Sequence, residues 1–246
     1  MRNIILHDQN AIEPTSYLWH RLFSENDLPP DGTVIEAAPG YEPKIGNALA
    51  LYGFHGTLFI IEPDEKAAHQ IESSYRHILP KAAVRTVNKS LQEVTIGTDV
   101  PYGANALVAS HPFDDMVIAL IVEKADFFSQ EKESEAGMVP DIQKLYEGIH
   151  DKEYLKSIQA TTATWKFFVQ KSGPQYFIIS QYPSHTLAVK GLVKRQNSGF
   201  AVLEHLKRFY KDSLVKRHYE DSFGFKGDPK WWIVAREPYK TYTVQS

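Results

Sequence analysis

The 246-residue chain contains no cysteine. Disulfides, thiolate metal sites and a cysteine nucleophile are excluded at once, and no redox clue is left. No stretch approaches the roughly 18 apolar residues of a membrane span. The opening residues, Met1-Arg2-Asn3-Ile4-Ile5-Leu6-His7-Asp8, hold no apolar core of signal-peptide length. A location in the cytoplasm, away from membranes, is therefore expected. Internal repeats, low-complexity linkers and clear domain boundaries are also lacking, so one domain over residues 1–246 is the expectation. At 43% hydrophobic and 23% charged residues, the chain can build one large core, with room for an insertion.

The net charge of -3 conceals an asymmetry. Residues 161–246 carry 14 Lys/Arg against 6 Asp/Glu, and the first 160 carry 13 against 24. A basic second half can attract an anionic partner, nucleic acid included. A solvated helix face over 199–211 accounts for it equally well.

Two stretches organise what is present. Thr33-Val34-Ile35-Glu36-Ala37-Ala38-Pro39-Gly40-Tyr41 and Leu58-Phe59-Ile60-Ile61-Glu62-Pro63-Asp64 are short apolar runs that each stop on a carboxylate before a helical pattern. Unalternating apolar runs suit parallel strands covered on both faces. Acids at their carboxyl ends lie where open α/β sheets bind ligands. Gly40 permits a tight turn and close approach of a ligand.

The remaining chain supports the same architecture. Residues 14–26 form an expected amphipathic helix, with Leu18/Leu22 and Trp19/Phe23 at i,i+4 and Thr15 or Ser16 as cap; Trp19 reads as core. Helices follow from Pro43 to Tyr52, ended by Gly53, and from an Asp64 cap along Ala67, Ile71, Tyr75 and Ile78 to Pro80. His69 and His77 on this helix read as solvated. Strands are expected at Thr57–Ile61, Ala83–Val87, Ala104–Ala109 and Gln175–Ser180. Their alternation with helices predicts a doubly wound sheet. The acidic segment 123–151, broken by Gly137 and Pro140, is expected to be an insertion or lid. Helices over 152–170 and 200–210 follow. Ser213–Tyr219 and Trp231–Ala235 are expected to pair as a hairpin, with one of Trp231 and Trp232 in the core and the other partly exposed.

These residues assemble a pattern that resembles class I S-adenosylmethionine-dependent methyltransferases. Glu36-Ala37-Ala38-Pro39-Gly40 is similar to that superfamily's acidic-x-Gly-x-Gly loop, with Ala38 where the family prefers glycine. Glu62 resembles its acid after strand two, and Asn88 falls where a residue near the adenine follows strand three. The terminal hairpin resembles its antiparallel seventh strand. The resemblance implies a Rossmann-like, mostly parallel seven-stranded sheet in a single methyltransferase-like domain, with S-adenosylmethionine as cofactor. It places Glu36, Ala38, Gly40, Tyr41, Glu62, Pro63, Asn88 and Ser110 around that cofactor. A carboxylate such as Glu62 can accept both hydroxyls of a ribose, and Glu36 can order the loop and meet the methionine ammonium.

Ser110-His111-Pro112-Phe113 is similar to the Asp/Asn/Ser-Pro-Pro-Tyr/Phe loop of amino-directed methyltransferases. The resemblance implies that Ser110 accepts a hydrogen bond from the acceptor and that Phe113 stacks on a planar substrate. His111 replaces the usual first proline and is a candidate general base, its ordinary pKa being about 6.5. An ordinary strand-to-helix turn with Asp114 as cap is the competing reading. Asp114 and Asp115 are also candidates for a cationic substrate or a metal, and His185 and Thr186 for the substrate rim. No metal is expected.

Methyl transfer to a nitrogen or oxygen nucleophile, on a small-molecule substrate, is the function these features imply. A nicotinamide-dependent oxidoreductase would share Glu62, but the loop lacks Gly-x-Gly-x-x-Gly and Glu36 would face a pyrophosphate. A non-catalytic binding module would explain the degenerate loop.

Overall fold

The computed structural model describes residues 14–122, 148–215 and 219–242. Most of the insertion expected over 123–151 lies outside the described residues.

Apolar runs form the strands β1 (Thr33–Ala37), β2 (Thr57–Ile61), β3 (Ala83–Val87), β4 (Ala106–Ser110), β5 (Tyr176–Ser180) and β6 (Trp232–Arg236). They make one sheet in the order β3-β2-β1-β4-β5-β6. The first five strands are parallel, and β6 runs antiparallel to β5 with Ile178 opposite Val234. The helices are α1 (Pro14–Glu25), α2 (Lys44–Tyr52), α3 (Glu65–Ile78), α4 (Phe113–Ala119), α5 (Asp151–Ser172), α6 (His185–Val189), α7 (Val193–Phe209) and α8 (Glu220–Phe223).

Strand side chains alternate between two cores. Val34, Leu58, Ile60, Val108, Ile178 and Val234 pack with Leu18, Trp19, Phe23, Ile45, Leu49, Ile71 and Tyr75, which places α1, α2 and α3 on one face. Ile35, Phe59, Leu107, Phe177 and Ile233 pack with Phe113, Val117, Trp165, Val202 and Leu206, which places α4, α5 and α7 on the other. Trp19 is fully buried against Trp232, their ring centroids 5.0 Å apart; Trp232 is buried and Trp231 half-buried. Each such side chain contributes about 1.5–3 kcal/mol on leaving water.

The sheet has six strands among the described residues, where seven were expected. The first arm of the expected hairpin supplies only one antiparallel bridge, Leu214 opposite Ala235. Val215 N donates to Val234 O at 2.7 Å, and Arg236 N to Ser213 O at 2.9 Å. Leu214 and Val215 are the only apolar pair there before three basic residues, Lys216-Arg217-His218. Both are half-buried, and among the described residues they form no regular strand.

Candidate functional site

Strand order reverses between β1 and β4: β1 leads outward to β2 and β4 to β5. In an open α/β sheet the crevice beyond the carboxyl ends of such a pair is where ligands bind. Glu36, Glu62, Asn88 and Ser110 all lie at that rim.

Glu36 points into the α1–α3 layer and is 1% exposed. Its Oε1 accepts a 3.1 Å hydrogen bond from the Tyr75 hydroxyl. Its Oε2 is buried with no hydrogen-bond partner among the described residues. Burial, opposed by the Tyr75 hydrogen bond and reinforced by the charge of Glu62, pushes its pKa up to about 8. Tyr75 can reach Glu36 because α2 carries glycine at position 46. A Cβ there would lie 2.3 Å from Tyr75 Cε1.

Glu62 is 5% exposed and holds the loop that follows β1. Its Oε2 accepts from Gly40 N at 2.9 Å, and its Oε1 from Asp64 N at 3.1 Å. Burial outweighs these two backbone hydrogen bonds, and the pKa rises to about 7. The loop is fastened at two further points, with Ala38 N donating to Ile61 O at 2.8 Å and the Tyr41 hydroxyl to Asp64 Oδ1 at 3.4 Å. Ala38 adopts φ +53 and Gly40 φ +60. Alanine thus holds the left-handed conformation that glycine adopts without cost, at a strain of about 1–2 kcal/mol. Asn88 Nδ2 donates to the carbonyls of Glu62 (2.8 Å) and Pro63 (3.2 Å), so exposed Pro63 and Asn88 sit side by side. Seven candidate residues, Glu36 to Asn88, are therefore brought to one rim.

The β4–α4 turn is built differently from the expectation. Ser110 Oγ is half-buried, 3.5 Å from Ser180 Oγ on the neighbouring strand. Phe113 is fully buried with its ring edge-on to Trp165, centroids 5.7 Å apart, so it is a core ring and offers no face to a planar substrate. Its position on the inner stripe of α4 dictates this. His111 sits at φ +65. Its Nε2 meets the Tyr182 carbonyl and its Nδ1 lies 3.2 Å from Asp114 Oδ1. Burial alone would lower the His111 pKa, but the hydrogen bond and charge of Asp114, with the Tyr182 carbonyl, outweigh it and raise it. Gln181 Nε2 also lies 3.2 Å from Nδ1, so both ring nitrogens of His111 are engaged by the protein's own groups.

Asp114 is not the helix cap; Pro112 takes that position. Its carboxylate, 2% exposed, also accepts from Gln181 Nε2 at 2.8 Å and lies 3.4 Å from Arg195 Nε. Burial would raise its pKa, yet His111, Arg195 and Gln181 together hold it below the ordinary range. Asp115 is bonded to the same guanidinium. Buried Asp114 is thus committed to the protein's own cations, while exposed Asp115 also meets Arg195. Among the described residues no cluster of three or more His, Asp and Glu could hold a metal, and no helix is long and apolar enough to cross a membrane. His185 and Thr186 open α6 at the same rim, both exposed.

Tyr75, Ser180, Gln181 and Arg195 were missed in the sequence. Tyr75 shows there only as one of a row of core residues on α3. Gln181 and Arg195 meet Asp114 from 67 and 81 positions away, with no local spacing to mark them.

No protein-family model matches the chain, and no curated protein matches it in sequence. Solved structures with a similar arrangement include a magnesium protoporphyrin IX methyltransferase from Synechocystis with bound S-adenosylmethionine, at 9% identity over 70% of this chain and 60% of that one, TM-score 0.40. A methyltransferase dependent on S-adenosylmethionine, from Clostridium acetobutylicum, gives 10% identity over 72% and 52%, TM-score 0.41. Quinate dehydrogenase from Corynebacterium glutamicum, in complex with NAD, gives 19% identity over 39% and 33%, TM-score 0.31. The chain spans at most 60% of the length of these three proteins. Likenesses this distant carry no argument about chemistry, which has to come from the rim itself.

Proposed function

We propose that the chain binds S-adenosylmethionine at the β1–β2 rim and directs methyl transfer to a nitrogen or oxygen nucleophile. The observation that carries this reading is the pair of nearly buried carboxyls, Glu36 and Glu62, joined by the left-handed Ala38–Gly40 loop at the switch point. The residues fit a nucleoside that also bears an ammonium. The unpartnered Glu36 Oε2 is an acceptor for the ammonium, directly or through water. Glu62 has lone pairs beyond the two that Gly40 and Asp64 use, and these suit a ribose diol. Pro63 and Asn88 offer an exposed edge to the adenine, and Tyr41 and Ala38 close the loop over it.

A nicotinamide cofactor suits the rim less well. Its pyrophosphate would require both carboxyls to stay neutral, whereas a cation gains from their ionisation. When bound, S-adenosylmethionine supplies an intrinsically electrophilic methyl group, so the protein's task is mainly to position the acceptor. Ser110 Oγ, beside Ser180 Oγ, is the group placed to accept from the acceptor's N–H or O–H. His111, held by the Tyr182 carbonyl, Asp114 and Gln181, positions the turn. A small molecule is the proposed acceptor-bearing substrate.

Binding and turnover are separated by two substitutions. Glu62→Ala should weaken S-adenosylmethionine binding at least tenfold in calorimetry; unchanged affinity would overturn the ribose assignment. Ser110→Ala should lower turnover while leaving cofactor affinity intact. The second reading, a non-catalytic binding module, is favoured by the full commitment of His111, Asp114 and Phe113 to structural contacts. Tight cofactor binding with no turnover on a broad panel of amines and hydroxyls would support it.

A further inference from the structure

Away from the rim, on the outer surface of the helix layer, α5 and α7 enclose an open groove of about 500 Å³. Lys166, His205 and Arg208 line it together with Gln159, Thr162 and Phe209, and no carboxylate does. Both helices start at the carboxyl rim and end near the amino ends of the strands; Gln159–Lys166 lies in the middle of α5 and His205–Phe209 in the last turns of α7. The groove shares no lining residue with the Glu36–Glu62 site and does not depend on that site's function.

One of its cations is paired with an aromatic ring inside the groove, and a second such pair lies beside it. Lys166 Nζ lies 4.1 Å from the Phe209 ring centroid, which keeps the ammonium at the groove wall. One position along α5, Phe167 is 62% exposed, with Lys171 Nζ 5.8 Å from its ring centroid. An exposed phenyl with one ammonium at its ring, beside a cationic groove lined by no carboxylate, is a combination suited to single-stranded nucleic acid: phosphates follow the cations and a base stacks on the ring. Acidic polypeptide would use the cations but would gain little from the ring. Lys166, Lys171 and Arg208 are three of the 14 Lys/Arg of the basic segment 161–246.

From this arrangement we infer that the α5–α7 groove binds single-stranded nucleic acid through its phosphate backbone, with Phe167 as a stacking platform. RNA and DNA share this chemistry, and labelled 12-nucleotide oligomers of each distinguish them. Fluorescence anisotropy with the full chain should show binding that weakens with salt, with a log–log slope of about -2 for three phosphate contacts. Lys166→Glu and Arg208→Glu should each weaken it tenfold or more with circular dichroism and Tm unchanged, and the milder Lys166→Gln and Arg208→Gln serve if those variants unfold. Phe167→Ala should weaken oligomer binding about fivefold and leave poly-glutamate binding unchanged, and Lys190→Glu, outside the groove, should change neither. Absence of binding at 50 mM salt, wild-type affinity in the groove variants, or equal binding of poly-glutamate with no effect of Phe167→Ala would overturn the inference.

Discussion

Glu36 is the residue at which the molecule is most finely balanced. Its folded pKa of about 8 stands above the ordinary 4.5, so the folded chain keeps a proton that the unfolded chain has released. Stability must then fall as pH rises through the window from about 4.5 to 8. Glu36→Gln retains an acceptor for Tyr75 and removes that penalty. The variant should be more stable than wild type at pH 8.5, by on the order of 1 kcal/mol or more, and equal to it near pH 4.5. Thermal melts at both values check this at about 2–4 °C per kcal/mol. Gly46→Ala should act in the opposite sense, because its methyl would displace the Tyr75 ring and leave Glu36 Oε1 unpartnered. A loss of about 1–3 kcal/mol, measured by denaturant unfolding, is expected for such overpacking. Ala38→Gly should stabilise by about 0.5–1 kcal/mol, since strain at φ +53 is relieved at a smaller entropic cost. Of these residues only the two acids and the loop were legible in the sequence. Tyr75 was legible as core but not as the partner of Glu36, because the contact bridges 39 positions.

At the scale of elements, the β4–α4 turn is held by buried charge. Asp114 joins His111 at 3.2 Å to Arg195 at 3.4 Å, with Gln181 as a further donor. Asp114→Asn would leave both cations without their shared counter-charge and should cost about 3 kcal/mol. In wild type the His111 ring should titrate above 6.5. Its contribution to stability is complete below that value and fades as pH rises through the folded pKa. In the variant, burial is opposed only by the Tyr182 carbonyl and the charge of Asp115, and the His111 pKa should fall relative to wild type; NMR of the ring protons reads both. The apolar run of β2 and the β-branched residues Val84, Thr86 and Val87 of β3, bounded by Pro80 and Asn88, made both strands legible to the residue. The first two turns of α7 were not legible, because Arg195, Ser198 and Gly199 interrupt the apolar period while being buried against α4 and β5 partners. Phe113 read as a substrate platform because four residues of a motif can also be the start of a helix whose first aromatic points inward.

Across the whole molecule, the alternation of strands and helices, the parallel sheet and the antiparallel last strand were all visible in the order of apolar runs and turn residues. The strand count was not, because whether Ser213–Tyr219 pairs fully depends on how much apolar surface β6 leaves to cover. What the fold contributes to function is a meeting of distant acids: β1 and β2 lie in register, Ala37 beside Ile61, so Glu36 and Glu62 share one rim and the charge of Glu62 raises the proton affinity of Glu36. A ligand that brings an ammonium there should release protons on binding and bind more tightly as pH rises. The most direct test is calorimetric titration with S-adenosylmethionine and S-adenosylhomocysteine, with NAD and NADP as controls, at pH 6.5 and 8.5 in buffers of different ionisation enthalpy. Binding of the first pair alone, tighter at pH 8.5 and accompanied by proton release, is the predicted result. Binding of NAD or NADP, or no binding of any of the four by well-folded protein, would contradict it.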